Sequence, residues 1–426
     1  MTNRLFSYLT LTALALTFFA CQEDSTFAPD ATAAAQVSTV EEVDATFAAE
    51  DAAALQLDDE VYVSTAAIDA ALGELTGLQK SGHGRGAARA TTVYTQTNTV
   101  DNEVVVFTAA NDGTLTETGR FRTQGDGSND NLANQGALFL DQRNDLLYAV
   151  NAGSDELTVF SVNGDGTLGF LNKVSTQGTR PVSVTAYENI VYVVNAGTDN
   201  VEGFRLNRRG RLVSLPNSVR ALSSTGTAPA QISFKPNGRA LLVTEKATNA
   251  LTSFAVRPNG RLSRTANVLT AANDTPFGFD FLRGRTLVSE AAGGAAGAGT
   301  VSTYRLRNDG TVRLLSGPLQ LDQAATCWVS ANRRTGYVFA TNTADDSVSS
   351  LTLGGNDLSL INGGQTTLAD FTPHDAGQNR AGTYLYVVTI GSDEVISYRI
   401  GTGGSLTQID TDGNLGDFSS GIQVRR

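Results

Sequence analysis

From Thr91 to the C-terminus the chain repeats one pattern of apolar and polar positions. Short aromatic or aliphatic runs come first: LLYAVN (146–151), IVYVVN (190–195), ALLVTE (240–245), TLVSEA (286–291), YVFATN (337–342) and LYVVTI (385–390). Small polar residues follow, as in AGSDE (152–156) and AGTDN (196–200). A run with strict alternation comes next, such as LTVFSV (157–162), VSTYRL (301–306) or VISYRI (395–400). A period of two, rich in β-branched and aromatic residues, predicts strands. No helical periodicity interrupts the pattern over 91–426.

The strands are punctuated by a recurring turn phrase. It reads NDGTL at Asn111, GDGTL at Gly164, RRGRL at Arg208, PNGRL at Pro258, NDGTV at Asn308, GGNDL at Gly354 and TGGSL at Thr402. Successive copies lie 53, 44, 50, 50, 46 and 48 residues apart. A period of this length carrying four strands is a propeller blade. The predicted fold is therefore all-β, a seven-bladed β-propeller over 91–426. Inner strands precede most of the aromatic runs, for example AQISF (230–234) and FGFDF (277–281). The first blade lacks one, because TVYTQ (92–96) is already a second-strand type. The C-terminal GIQVRR (421–426) is expected to supply it and close the ring, leaving no open sheet edge.

Residues ahead of the propeller read differently. Arg4, an apolar run from Leu11 to Ala20 and then Cys21 describe a secretory signal over 1–20, too short to span a bilayer. Residues 21–90 form an acidic, Ala-rich tether with room for short helices, ending in the joint SGHGRGAARA (81–90). Residues 22–80 hold thirteen acids and one Lys80, which accounts for the whole net charge of −12. The propeller segment is near neutral. With a sequence pI near 4.7 and no basic patch in view, nucleic-acid binding is not expected.

Phe18-Phe19-Ala20-Cys21 resembles a bacterial lipobox, which implies lipidation of Cys21 and a lipid-anchored place in the cell envelope, at the outer membrane and either periplasmic or surface-exposed. That would leave Cys327, the second of two cysteines, unpaired. IVYVVNAGTDNV (190–201) resembles the Tyr-Val-Thr-Asn surface-layer repeat. Blade order and the PNGR turns resemble the seven-bladed lactonase family, which includes 6-phosphogluconolactonases and carboxymuconate cyclases. The resemblance covers about residues 93–426. It implies a Gly-Pro-Arg-His stretch on one inner strand and a Glu ending the next strand. Here the stretch reads Ala228-Pro229-Ala230-Gln231, while the Glu is present as Glu245. An earlier His-Pro-His reads Arg180-Pro181-Val182. These departures point to a divergent branch without the family's Arg and His.

Stacking the blades puts Thr97, Asn151, Asn195, Glu245, Glu290, Asn342 and Thr389 at one repeat position. Two neighbours there are acidic. Adjacent carboxylates at a channel mouth can share a proton, act as acid and base, or hold a cation; alternatively each pairs locally, Glu245 with Lys246. Glu245, Glu290 and His374 are the candidate catalytic residues. Arg180, Lys246, Cys327, Trp328 and Asp375 are the candidate ligand-binding residues at the same mouth. No metal-ligand spacing or cofactor motif is present, and a monomer is expected. Three functions remain open: binding of a small molecule or surface partner, hydrolysis or isomerisation of a lactone or sugar acid through Glu245, and a structural envelope role.

Overall fold

The computed structural model describes residues 91–367 and 372–425. The signal segment, Cys21, the tether and His83 lie outside them. The described chain forms seven antiparallel sheets, one per repeat. In the first, the C-terminal strand Ser420–Arg425 pairs with Thr91–Gln96, followed outward by Glu103–Ala109 and Leu115–Arg122. Closure by the C-terminal strand is thus borne out. Arg425 secures it further, donating to Asn163 O and to the Asp145 carboxylate, the latter at 2.7 Å.

The inner strands of blades 2 to 7 are Leu138–Asp141, Pro181–Tyr187, Pro229–Phe234, Pro276–Leu282, Thr326–Ala331 and Pro373–Gln378. Successive inner strands contact one another around the axis. All seven begin on one face and end on the other. Antiparallel pairing returns each second strand to the first face, so Glu245 lies opposite Pro229 and Glu290 opposite Pro276.

Turn glycines join the blades. Hydroxyls of Tyr94, Tyr192, Ser253 and Ser397 donate to the carbonyls of Gly166, Gly260, Gly310 and Gly113 in the following blade. These glycines have φ of +82° to +99°. A Cβ on Gly113 would lie 2.5 Å from the Tyr384 ring, and one on Gly260 2.4 Å from Ile190. The repeated Asp-Gly and Asn-Gly pairs therefore set both the hairpin and the blade spacing.

Two features depart from the regular pattern. Among the described residues three short 3₁₀ turns occur, at Ala292–Gly294, Thr343–Asp345 and Thr402–Gly404. The outer strand of blade 3 is broken into Leu212–Ser214 and Arg220–Ala221. Pro216 has no N–H for the ladder, and Asn217 adopts φ +58°.

Candidate functional site: a channel sealed at one mouth and open at the other

The residues expected at the mouth do converge there, but they grip the chain itself. The segment entering blade 2, Asp130–Gly136, crosses the channel at the face where the inner strands begin. Trp328 donates its indole N–H to Asn134 O at 2.7 Å. Asn134 donates to Val182 O and accepts from the Ser420 hydroxyl at 2.8 Å, so one side chain joins blades 3 and 1. Lys246 donates to Ala133 O at 2.5 Å and sits over the Phe277 ring. Arg180 reaches Asp130 and Asn131 O, both at 3.4 Å. Ala133, Ala230, Phe277, Ala325, Cys327 and Trp328 form one buried apolar cluster. Arg180, Lys246, Cys327 and Trp328 thus hold an internal plug. Cys327 is disulfide-bonded, which corrects the unpaired thiol expected from the sequence. The sequence's other cysteine, Cys21, lies outside the described residues.

His374 is buried beneath the plug, stacked on Trp328 with centroids 4.5 Å apart. Burial lowers its pKa to about 3, so the ring is neutral at ordinary pH. Its Nε2 has no hydrogen-bond partner among the described residues.

Glu245 and Glu290 are each 0 % exposed and do not form a shared site. Glu290 accepts from the hydroxyls of Thr300, Ser302 and Tyr304 at 2.7 to 2.8 Å, all on its own blade. Burial raises its pKa, against those three hydrogen bonds. Glu245 accepts from Ser223 N and the hydroxyls of Ser223 and Thr248. The neutral residues at this repeat position behave alike: Asn151 donates to Thr158, and Asn342 to Ser347 and Ser349. The position ties the second strand to neighbouring hydroxyls, and both glutamates belong to that scheme. Local hydrogen bonds to each glutamate take the place of the expected side-by-side pair and of the expected Glu245–Lys246 pairing, which is the correction to the sequence reading.

The opposite mouth holds a cavity of about 800 Å³. Its wall includes Gln135, Gln231, Asp280, Asp375, Gln378 and Gln423, with Arg333, Arg334 and Arg380 exposed at the rim. Inner strands present unpaired backbone to the channel, and side chains of other blades satisfy it. Gln231 bonds both N–H and C=O of Phe279, and Gln135 does the same for Val329. Asp280 accepts from Ala331 N at 2.8 Å, and Gln378 donates to Ser330 O at 3.0 Å. These groups are partly committed to holding the ring. Gln378 Oε1 has no partner among the described residues. Asp375 accepts from Ala376 N at 2.9 Å, yet burial raises its pKa to about 7, against backbone N–H groups and with a contribution from Asp280. Burial likewise raises Asp280 to about 6. Asp375, singled out in the sequence, therefore faces the open cavity, whereas its neighbour His374 packs under the plug. Asp280, Gln378 and the rim arginines carry no mark of the channel wall in their local sequence, whereas Gln231 stands where the resembled family has His. Among the described residues, no group of three or more His, Cys, Asp or Glu is placed to hold a metal ion.

Comparison with known proteins agrees with this architecture. A family profile described as lactonase, 7-bladed beta-propeller matches residues 81–224. A candidate 6-phosphogluconolactonase from Bacteroides fragilis superposes with TM-score 0.65 and 17 % identity, over 81 % of this chain and 100 % of that one. A periplasmic gluconolactonase from Pseudomonas aeruginosa gives 0.61 and 13 %, over 79 % and 99 %. A protein from Lactobacillus plantarum gives 0.64 and 17 %, over 80 % and 100 %. No curated protein matches the chain in sequence. Likeness at these identities concerns the fold, and fold alone does not carry chemistry.

Proposed function

We propose that this lactonase-type seven-bladed propeller binds a small polyhydroxylated anion, such as a sugar acid, in the cavity of its open mouth. The observation that carries this reading is the pairing of a deep polar wall with a cationic rim. Gln378 Oε1 has no partner among the described residues and is left for ligand hydroxyls, and Arg333, Arg334 and Arg380 supply bidentate donors for a carboxylate or phosphate. The volume is in the range of small-molecule sites. Glu245 has no part in it.

A second reading has one observation in its favour. A carboxyl with a pKa of about 7, as at Asp375, is suited to take a proton from water attacking a lactone. The Pseudomonas neighbour is named a gluconolactonase. In this reading Asp375 replaces Glu245 as the base.

One experiment separates the two. Calorimetric titration with gluconate, 6-phosphogluconate and glucono-δ-lactone is followed by a proton-release assay on the lactone. Binding that falls at least tenfold in Arg334→Ala/Arg380→Ala, without lactone turnover, supports the binding module. Turnover lost in Asp375→Asn supports the hydrolase. Neither binding nor turnover with any of the three sinks the sugar-acid reading.

A further inference from the structure

A second cationic site lies away from the channel, at the outer edge between blades 3 and 4. The break in the blade 3 outer strand at Pro216 and Asn217 leaves a cleft of about 590 Å³. Its wall includes four arginines, Arg220, Arg257, Arg261 and Arg264, and no acid. Arg220 is fixed in place, donating to the carbonyls of Asn217, Val219, Leu262 and Ser263 at 2.7 to 3.2 Å. Burial lowers its pKa, and the charges of the other three lower it further, which places all four within electrostatic reach of one another.

Among the described residues, the chain around the cleft offers little neutralisation. Between Phe204 and Asn273 the sequence carries eleven basic residues and one acid, Glu245. Glu245 is buried and already engaged by Ser223 and Thr248. Among the described residues, Arg220, Arg261 and Arg264 make no ion pair. The neutral overall balance of the propeller hid this segregation, and the basic patch that the sequence seemed to lack is here.

We propose that this cleft binds a multiply charged anion carrying closely spaced tetrahedral oxyanion groups, phosphate or sulfate. Converging guanidinium forks match the oxygen edges of such groups, and several charges of one sign call for a ligand of high charge density. The site is independent of the sugar-acid cavity.

The test uses two probes, tripolyphosphate and sucrose octasulfate, titrated calorimetrically into the full-length protein across a salt series. Arg261→Glu/Arg264→Glu is the test variant, since Arg220 holds backbone and is left intact. Arg122→Glu/Arg399→Glu, exposed on blades 1 and 7 away from both the cleft and the channel cavity, is the control and changes net charge by the same amount. The expected result is micromolar binding of at least one probe, weakened tenfold or more by the first variant and less than twofold by the second. Binding of tripolyphosphate alone assigns phosphate, and of the octasulfate alone sulfate. No binding of either, or equal weakening by both variants, overturns the proposal. Circular dichroism and an unchanged melt confirm that the variants fold.

Discussion

Replacing Asp375 by Asn should change how stability depends on pH, and the size follows from its position. Asp375 is 3 % exposed, and its pKa rises from 3.8 to about 7, chiefly by burial. For a carboxyl raised on folding, the native state holds its proton where the unfolded chain has released it. Stability from this group is therefore fully present below about pH 4, declines as pH rises, and is lost by about pH 7. A difference of about three in pKa corresponds to about 4 kcal/mol, an upper bound because Asp280 lies close enough to share the titration. The parent should thus lose up to about 4 kcal/mol between pH 4 and pH 7.5 beyond the trend set by other groups. Asp375→Asn should lack that decline. Its amide oxygen can still accept from Ala376 N, so a constant offset between the two proteins is tolerable and the slope is the readout. Urea unfolding at half-unit pH steps measures it. Parallel curves for parent and variant from pH 4 to 8 would refute a buried, proton-holding Asp375, and with it the account of the cavity floor.

Three further outcomes are expected. Deleting residues 421–426 removes the inner strand of blade 1 and the Arg425 contacts to Asn163 and Asp145; it should cost about 4 kcal/mol or more, and a melt within a degree or two of the parent would disprove closure. Glu290→Gln should leave binding of any cavity ligand unchanged while raising stability more at pH 8 than at pH 5, because burial raises the carboxyl's pKa; melts and titrations at both pH values check this. Cys327 is disulfide-bonded, so alkylation of denatured, unreduced protein should leave it unlabelled and reduction should expose it; labelling of Cys327 without reduction, read by peptide mass, would overturn that bond.

The architecture was legible because each blade repeats the same local chemistry. Tyr94 and Tyr192 mark second strands, and Gly113, Gly166, Gly260 and Gly310 mark the turns their neighbours reach. Even the missing first strand could be counted. Side-chain direction at the repeat position was not legible. Glu245 and Glu290 end second strands on the expected face, yet both point toward hydroxyls rather than into a shared space. An acid among Asn and Thr looks exceptional in a stack of sequences, but Glu290 accepts from the same kind of partner that Asn342 donates to. Charge was hidden for a related reason. A net count averages over the whole ring, whereas Arg220 and Arg261 are brought together across a blade boundary by a strand break.

The plug explains why correct residues led to the wrong mouth. Pro181, Pro229 and Pro373 share a repeat position, so the residues beside them had to meet near the axis. Only the fold reveals that Asn131 to Gln135 arrive there too. Asn134 and Gln135 together contact blades 1, 3, 4 and 6, through Ser420, Val182, Ala230, Trp328 and Val329. A segment tied to four blades, with Leu132 and Ala133 1 % exposed, is part of the core rather than a gate. Opening it would strand the buried Trp328 N–H and the Asn134 amide together, each at about 1–3 kcal/mol. The described channel therefore works as a cup with one entrance. In the proposed binding role, a ligand would meet Arg333, Arg334 and Arg380 before Asp375, so charge selection at the rim would precede hydrogen bonding at the floor.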